Sequence, residues 1–309
     1  MDHAPLKQLN RLGQSIWLDF IERSILGNGD LTRLIQDDDL AGLTSNPAIF
    51  EKAISQDTTY SEDITRLGQA GMTREGLYTS LVLDDISRAA DLFLPVYEQT
   101  NGRDGYVSIE VSPHLARDSE ASIQEARELW AELQRPNIMI KIPGTKEGLD
   151  AVRTLLADGI NVNVTLLFSV IRYASVLETY LQALEDRQAQ GLTLNGVASV
   201  ASFFLSRIDS KVDALLDDMQ SDESRASSAR DLRGQAAIAS AALAYRHYQS
   251  VIQSPRWQNL AKAGADVQRL LWASTSSKDP AYSKIKYVEP LIAENTVNTL
   301  PLNLSLIHI

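Results

Sequence analysis

Three features of the sequence predict an α/β fold in which eight parallel strands alternate with helices. Eight short apolar segments are spread along the 309 residues. Several are nearly continuous in Val, Ile, Leu and Phe, which is typical of parallel strands covered on both faces. Amphipathic helical segments lie between them, and this alternation indicates βαβ units. Eight such units favour a single (β/α)8 barrel, the TIM-barrel architecture.

The predicted strands are short and bounded by turn-forming residues. They comprise residues 15–20, 41–47, 105–111, 137–143, 161–168, 196–204, 268–275 and 296–302. The stretches after Pro47 and Phe204 are long enough for more than one helix each. No GxGxxG follows the first strand, which argues against a dinucleotide-binding fold. We therefore expect one domain over residues 1–309, a barrel with helical insertions, rather than two domains.

Helical periodicity predicts the connections between the strands. The predicted helices comprise residues 84–99, 122–134, 146–157, 169–187, 206–220, 229–253 and 280–292. Ser122 and Glu125 have the spacing of a capping box, and Thr145 is a candidate N-cap for the helix that follows it. The polar segment 221–231 is expected to be a solvated junction between helices.

Composition and charge exclude several classes of protein. The chain is 44% hydrophobic and contains no cysteine, so a disulfide framework and thiolate chemistry are ruled out. Its net charge of −11 is a poor match for nucleic acid or an anionic membrane, and we expect neither as a partner. The N-terminal residues lack the apolar region of a signal peptide, and no run of about 18 apolar residues predicts a membrane span. A cytoplasmic location is the expectation.

Motifs for metals, nucleotides and serine nucleophiles are missing. The histidines do not form an HxH or HxxxH pair, so we expect no histidine metal site; they are His3, His114, His247 and His308. The sequence has no GxxxxGK[ST] phosphate loop and no GxSxG nucleophile elbow.

Lys141 is the sharpest candidate for chemistry, because it lies in the apolar segment NIMIKIPG. Lysine is almost never fully buried unless it is paired, and burial disfavours its charged form. A neutral amine at the end of a barrel strand is a nucleophile for carbonyl groups, as Schiff-base formation requires. The alternative is a structural lysine that pairs with a carboxylate inside the barrel or extends to solvent.

Asp19 and Glu110 lie near the carboxyl ends of the first and third predicted strands, where barrel enzymes carry their catalytic groups. A single carboxylate at a strand end is more often a helix cap or a surface group. Two carboxylates together with a buried lysine supply the proton donor and acceptor that Schiff-base chemistry needs.

Three further polar residues interrupt apolar strands. Asn163 and Thr165 are two residues apart, so their side chains lie on the same face of one strand. If this face and Lys141 both point into the barrel, the two residues lie beside Lys141. The alternative is an outward-facing polar pair at the start of the strand. Asn46 ends the segment AGLTSNP and is equally explained as a turn residue before Pro47.

Two positions could hold a phosphate group. Arg207 follows the sixth strand, and arginine binds phosphate through two parallel hydrogen bonds. The alternative interpretation of Arg207 is a salt bridge on the helix surface with Asp209 or Asp213. Ser274 and Lys278 make a hydroxyl-rich end of the seventh strand with one cation, and barrels often bind phosphate after strands seven and eight.

The segments GLTSNPAIF, VSIEVSP, IMIKIPGTKEGL, NVTLLFS and SFFLSRID, taken in this order, strongly resemble the transaldolase family. The resemblance runs from about residue 15 to residue 301, and the spacing and the LWAST segment are similar to the longer bacterial and plant subfamily. It implies a class I aldolase-type barrel without metal or organic cofactor. The implied reaction moves a dihydroxyacetone unit from sedoheptulose 7-phosphate to glyceraldehyde 3-phosphate in the pentose phosphate pathway, giving erythrose 4-phosphate and fructose 6-phosphate.

The resemblance also assigns roles to residues. The family's Schiff-base lysine falls on Lys141, and its acid–base carboxylate falls on Asp19. The glutamate that assists imine formation through a water and a threonine falls on Glu110, with Thr165 as the threonine. The remaining matches concern the substrate, and they are the hydroxyl-binding Asn46 and Asn163, the Ser202 and Arg207 after strand six, and the pocket-wall Phe204.

The chain departs from the family pattern at two places. Ser274 matches the phosphate-binding serine after strand seven, but the family's arginine is absent and Lys278 is the substitute that we expect. The family continues beyond strand eight into a further helical region, whereas this chain stops at NLSLIHI, so that region is expected to be missing.

Two other functions stay open: an aldolase that releases free dihydroxyacetone from fructose 6-phosphate, and a truncated, inactive barrel. Phosphorylated ketoses and aldoses are the expected partners, and a homodimer is compatible with the family.

Overall fold

The computed structural model describes residues 5–305. The predicted domain of residues 1–309 extends at both ends beyond this part of the chain, so His3 and His308 and the apolar tail after Ser305 lie outside the described residues. The domain limits themselves stay a prediction.

The sheet confirms the predicted barrel. Its strands are parallel and hydrogen-bonded in sequence order, and the last pairs with the first to close the ring. All eight predicted strands form, and most are a few residues shorter than expected. They are β1 (Gln14–Asp19), β2 (Gly42–Thr44), β3 (Tyr106–Glu110), β4 (Ile138–Pro143), β5 (Val162–Leu167), β6 (Ser199–Phe204), β7 (Arg269–Ala273) and β8 (Thr296–Leu300).

Helices follow most of the strands on the outside of the barrel, and the long stretches after β2 and β6 each contain several, as expected. Within residues 5–305 the α-helices are α1 (Pro5–Arg11), α2 (Arg23–Gly27), α3 (Asp30–Asp38), α4 (Pro47–Gln56), α5 (Ser61–Gln69), α6 (Arg74–Gln99), α7 (Ser119–Leu133), α8 (Lys146–Asp158), α9 (Val170–Ala189), α10 (Ser206–Met219), α11 (Ala226–Leu232), α12 (Ala236–Ile252), α13 (Pro255–Lys262) and α14 (Leu302–Ser305).

Two helix predictions are wrong. The predicted helix 229–253 is divided into α11 and α12 at Gly234, whose φ of 68° is outside the helical range. A Cβ at this position would lie 2.7 Å from the ring of Tyr282, so glycine is needed for both conformation and space. The predicted helix 280–292 is a series of turns with a single short 3₁₀ helix, Glu289–Leu291, because this segment is held by tertiary contacts described below.

Helix capping follows the sequence in one case and not in another. Thr145 is the N-cap of α8, and its side chain accepts a hydrogen bond from the Gly148 N–H, as predicted. The prediction of a capping box at Ser122 and Glu125 is wrong. The helix α7 begins at Ser119, three residues before Ser122, and Asp118 is its N-cap. The two residues face the neighbouring loop instead, where Ser122 donates to a carbonyl and Glu125 accepts from the Ser112 N–H. The polar junction 221–231 contains most of α11.

Most of the buried apolar side chains lie in two layers, and a third, small cluster joins the helices after β2. A large layer fills the space between the outside of the sheet and the helices, and contains residues such as Ile140, Val164 and Phe203. A smaller cluster fills the inside of the barrel, with Trp17, Met139 and Leu271 among its members. Successive strand residues alternate between these layers, which explains why the strands lack a simple apolar–polar alternation.

Candidate active site

A cavity of about 410 Å³ opens at the carboxyl ends of the strands, the end at which barrel enzymes place their sites. Its wall brings together ten of the eleven predicted site residues from all parts of the chain. They are Asp19, Asn46, Glu110, Lys141, Thr165, Ser202, Phe204, Arg207, Ser274 and Lys278.

Lys141 points into the barrel and is buried, as predicted. Its Nζ donates a 3.0 Å hydrogen bond to the carbonyl oxygen of Ser45 at the end of β2. The Oε2 atom of Glu110, its neighbour on β3, is 3.4 Å away. The amine is therefore aimed by a backbone carbonyl, while its contact with the carboxylate is longer than a good charge-assisted hydrogen bond. This geometry leaves Nζ accessible to a molecule in the cavity.

Asp19 reaches the cavity from the last position of β1. Its Oδ1 accepts a 2.7 Å hydrogen bond from Thr44 on the adjacent β2. One donor fixes the direction of the carboxylate and leaves its other oxygen for a substrate hydroxyl. A positioned carboxylate with a free oxygen can take and return a proton, which is general acid–base chemistry.

Thr165 is buried in the wall of the cavity, and its Oγ1 has no hydrogen-bond partner among the described residues. A buried hydroxyl without a partner costs stability, so this atom is a place where an incoming water or ligand gains a hydrogen bond. The strand is irregular just after it: the register with β6 shifts between Val164 and Leu167, and Leu166 has a φ of 63°. A left-handed leucine is strained, and here it turns its side chain into the wall of the cavity.

Asn163 does not line the cavity, and it is the one predicted site residue that lies deeper in the barrel. It is paired in register with Lys141, as the sequence predicted. Its amide donates to the Ser108 hydroxyl at 3.1 Å and accepts from the Ser202 hydroxyl at 2.6 Å. This chain of hydrogen bonds links three strands beneath the cavity floor.

Asn46 combines both interpretations of the sequence. It is the N-cap of α4, and its Oδ1 accepts a 3.0 Å hydrogen bond from the Ile49 N–H, with Pro47 in the first turn. The cap uses the amide oxygen only, and the residue also lines the cavity. Its amide nitrogen can therefore donate to a bound hydroxyl while the oxygen caps the helix.

Arg207 makes an aromatic contact rather than the surface salt bridge considered above. Its guanidinium lies 5.5 Å from the ring centre of Phe204, which in turn packs against Phe168 at 5.3 Å. Asp209 and Asp213, the partners considered for it, are buried and accept hydrogen bonds from tyrosines. Arg207 is exposed at the rim of the cavity, where its charge is available to an anion.

Ser274 directly follows β7 rather than ending it. Its φ of 55° turns the chain sharply, and its hydroxyl is 2.8 Å from the hydroxyl of Ser206 at the start of α10. Lys278 is exposed on the same loop, and its Nζ donates to the Ser276 hydroxyl at 2.9 Å. Arg207 and Lys278 thus lie at one rim of the cavity together with the hydroxyl groups of Ser274 and Ser276. Two cations beside two hydroxyl donors are a suitable arrangement for a phosphate group.

Sequence reasoning missed three groups that shape the site. Thr44 orients Asp19 and lies two residues before Asn46, so strand alternation could have identified it. The Ser45 carbonyl that orients Lys141 carries no sequence signal, because any residue supplies a carbonyl oxygen. The left-handed conformation of Leu166 has no sequence signal either, since leucine rarely adopts this conformation.

The described residues contain no cluster of three or more His, Cys, Asp or Glu side chains suited to a metal ion. Over the same residues, no helix is both long and apolar enough to cross a lipid bilayer.

The fold and the cavity together define an enzyme of the (β/α)8-barrel class. A family model described as "Transaldolase/Fructose-6-phosphate aldolase" matches residues 16–306. A transaldolase of Trichodesmium erythraeum is 50% identical over 299 residues, covering 96% of this chain and 79% of the relative. A transaldolase of Thiobacillus denitrificans is 47% identical over 295 residues, covering 96% and 81% respectively. The chain belongs to the transaldolase/fructose-6-phosphate aldolase family, as the sequence motifs had predicted.

Proposed function

We propose that the chain is a transaldolase, a transferase that carries a dihydroxyacetone unit on Lys141. The donor would be sedoheptulose 7-phosphate and the acceptor glyceraldehyde 3-phosphate, which gives erythrose 4-phosphate and fructose 6-phosphate. The observation that carries this proposal is the buried lysine, aimed into a cavity that two strand-end carboxylates share. Relatives named transaldolase, at 47 to 50% identity over most of the chain, support the same function.

In the proposed reaction, Lys141 Nζ adds to the donor's C2 carbonyl, and the carbinolamine loses water to form an imine. Asp19 takes the proton of the C4 hydroxyl, the C3–C4 bond breaks, and its electron pair moves toward the imine nitrogen to form an enamine. The first aldehyde leaves. The enamine carbon then attacks the acceptor aldehyde, Asp19 returns the proton to the new oxygen, and water releases the product from Lys141.

Glu110 and Thr165 are proposed to handle the water of imine formation. Glu110 Oε2 lies 3.4 Å from the reacting nitrogen, close enough to exchange a proton through one water. Thr165 Oγ1 is buried in the cavity wall without a partner among the described residues, so it could hold that water. The two groups lie on the strands that flank Lys141.

Substrate phosphate is proposed to bind at the rim formed by Arg207, Ser274 and Lys278. The chain has a net charge of −11, so an anionic substrate needs a local concentration of positive charge. The rim supplies two cations next to hydroxyl donors. Lys278 would act there as a point charge in place of a bidentate arginine.

Borohydride trapping tests the proposal. Incubation with fructose 6-phosphate and sodium borohydride should reduce the imine and label the peptide that contains Lys141, as mass mapping would detect. The variant Lys141→Arg should show neither label nor turnover, whereas the control Lys146→Arg, an exposed lysine at the start of α8, should keep both. A label that persists in Lys141→Arg would contradict the assignment.

An aldolase that releases free dihydroxyacetone is the second candidate, because the matching family model covers both activities. Incubating fructose 6-phosphate with and without erythrose 4-phosphate as the acceptor separates them. A transaldolase forms sedoheptulose 7-phosphate from fructose 6-phosphate once erythrose 4-phosphate is supplied, whereas an aldolase accumulates dihydroxyacetone without any acceptor. A chain that does neither, although it unfolds cooperatively, would be an inactive barrel.

A role in the pentose phosphate pathway and a cytoplasmic location are part of the same proposal, supported by the family and by the composition of the chain. A homodimer stays a prediction, and the sedimentation coefficient of the purified protein tests it.

A further inference from the structure

The loop after β7 is tied to α10 by a pair of matching side-chain contacts. Tyr287 donates a 2.8 Å hydrogen bond to Oδ2 of Asp209, and Tyr282 donates a 2.7 Å hydrogen bond to Oδ2 of Asp213. The two aspartates are four residues apart and so lie one turn apart on the same side of α10. Each tyrosine–aspartate pair therefore repeats the same contact one helical turn further along.

The second oxygen of each carboxylate binds a third segment. Asp213 Oδ1 accepts a 2.8 Å hydrogen bond from the N–H of Gly234, and Asp209 Oδ1 accepts one of 2.8 Å from the N–H of Ala237 in the first turn of α12. Both carboxylates are buried, and each bridges the start of α12 and the loop after β7. Negative groups at a helix N-terminus are favoured by its dipole, which explains why these two charges are tolerated there.

The tyrosines are well suited to be permanent donors. Burial, and then the neighbouring aspartate, raises the pKa of Tyr282 and of Tyr287, so both hydroxyls keep their protons at any physiological pH. Tyr282 also packs closely against Gly234, and Lys286 Nζ lies 4.2 Å from the centre of its ring. The loop therefore has a defined position although it contains no regular helix over residues 276–288.

The segments joined in this way carry the two halves of the proposed phosphate site. Arg207 is in the first turn of α10, two residues before Asp209. Lys278 is on the loop, four residues before Tyr282. Both cations are exposed at the rim, and their contacts, Arg207 with the ring of Phe204 and Lys278 with Ser276, do not join α10 to the loop. Ser206 contacts Ser274 at the start of α10, and the tyrosine–aspartate pairs link the same two segments further along the helix and the loop.

We propose that Asp209 and Asp213, with Tyr287 and Tyr282, are positioning residues that set the separation of Arg207 and Lys278 for a phosphate group. None of the four touches the substrate in this proposal. They act through the backbone of α10 and of the loop. The inference rests on the proposed function for the identity of the phosphate site, but phosphate affinity tests it independently of any turnover.

The decisive variants keep ring packing and remove only the hydroxyl groups. Tyr282→Phe and Tyr287→Phe, combined in one chain, should weaken the binding of inorganic phosphate about tenfold, because a displaced charge loses much of its interaction with a small anion. Calorimetric titration with inorganic phosphate measures this directly. The KM for fructose 6-phosphate should rise by a similar factor while kcat changes less than about twofold, since Lys141 and Asp19 are not displaced.

Tyr60→Phe is a matched control. Tyr60 donates a 2.6 Å hydrogen bond to the buried Asp85, so its loss is chemically the same but lies in a different part of the molecule. The control should lower the melting temperature without changing phosphate affinity. Asp213→Asn adds a conservative test: its amide oxygen can accept from the Gly234 N–H while its amide nitrogen donates to the Tyr282 hydroxyl oxygen, so it should retain most of the phosphate affinity that Asp213→Ala loses.

Unchanged phosphate affinity in the folded double variant would overturn the positioning role, whether or not the enzyme is a transaldolase. Equal losses of phosphate affinity in the double variant and in Tyr60→Phe would also overturn it. They would show that the pairs affect phosphate binding only through the stability of the whole protein. Absence of a borohydride label on wild-type Lys141 would contradict the proposed function instead. If the double variant does not fold, each single Tyr→Phe variant is titrated in the same way.

Discussion

The two ends of the barrel interior each hold a buried ion pair, and the pairs differ in how completely they are partnered. At the amino end of the strands, Arg269 and Asp104 are 2.9 Å apart with 6% and 9% of their side chains exposed. At the carboxyl end, Lys141 and Glu110 are 3.4 Å apart with 8% and 12% exposed. Burial is nearly the same, so it does not distinguish a structural pair from a reactive one.

The partners distinguish them. Asp104 also accepts hydrogen bonds from the Ser15 hydroxyl at 2.8 Å and the Trp17 indole at 3.1 Å. Arg269 donates to Ser15 at 2.8 Å and to the Arg103 carbonyl, and stacks over the ring of Trp17. This network closes the barrel at its amino end. Additional hydrogen bonds of this kind offset the cost of removing the two charges of a buried ion pair from water.

At the other end, Lys141 is held by one short hydrogen bond to a carbonyl, and Thr165 has a buried hydroxyl with no partner among the described residues. Incomplete satisfaction costs stability and leaves atoms available for a substrate. We conclude that the number of good partners separates the structural end of this barrel from the reactive end. The variants below test this conclusion in order of expected effect.

Lys141→Met should have the largest effect on activity and little effect on stability. Removing a covalent nucleophile costs on the order of 10⁴-fold or more in turnover. The melting temperature should change little, because Lys141 has one short hydrogen bond, and Glu110, which loses its counter-charge, lies in the wall of the open cavity with only a 3.4 Å contact to the amine. Coupled activity assays and calorimetric melts measure both quantities, with Lys146→Met as the control. A large fall in melting temperature would show that the lysine is structural.

Arg269→Met should have the opposite signature. It leaves Asp104 buried without its counter-charge, and breaking a buried pair in this way costs about 3–5 kcal/mol of unfolding free energy. Well below the melting transition, KM and kcat should stay near their wild-type values. The double variant Arg269→Met/Asp104→Leu should recover part of the loss. A stable Arg269→Met protein would contradict the structural role of this end.

Asp19→Ala should slow carbon–carbon bond cleavage about 10²-fold, the lower part of the range for a general acid–base group. Imine formation should persist, so borohydride should still label Lys141. Quench-flow measurement of aldehyde release, next to the labelling yield, separates the two steps. The control Thr44→Val removes only the hydrogen bond that orients Asp19 and should have a smaller effect. Unchanged cleavage in Asp19→Ala would reject the role of Asp19.

Thr165→Val should have the smallest effect, about tenfold on the rate of imine formation, which corresponds to roughly one hydrogen bond. Stability should not fall, because the lost hydroxyl has no partner in the described structure. Thr179→Val is the contrast: its hydroxyl bonds to the Ser175 carbonyl at 2.9 Å, and its loss should lower stability without changing the rate. If Thr165→Val destabilises the protein more than Thr179→Val, the hydroxyl has a structural partner after all.

Much of the candidate site was predictable because strand side chains alternate. Lys141 and Asn163 face inward and are paired in register, as the polar residues within apolar strands indicated. Which wall residues would contact each other was less predictable. Asn46 was expected to be a turn residue or a ligand, and it caps a helix while it lines the cavity. Arg207 was considered a salt-bridge partner of Asp209, but that carboxylate is bonded to Tyr287 instead.

The sequence by itself determined the number and order of the strands, the position of most helices, and the inward direction of the reactive residues. These properties follow from local periodicity and from the cost of burying polar groups. Only the tertiary structure decided which polar groups are satisfied. The Ser45 carbonyl that orients Lys141 is 96 residues away in the chain, and Arg269 and Asp104 are separated by 165. Such contacts depend on barrel closure and loop path, which have no local periodic signal.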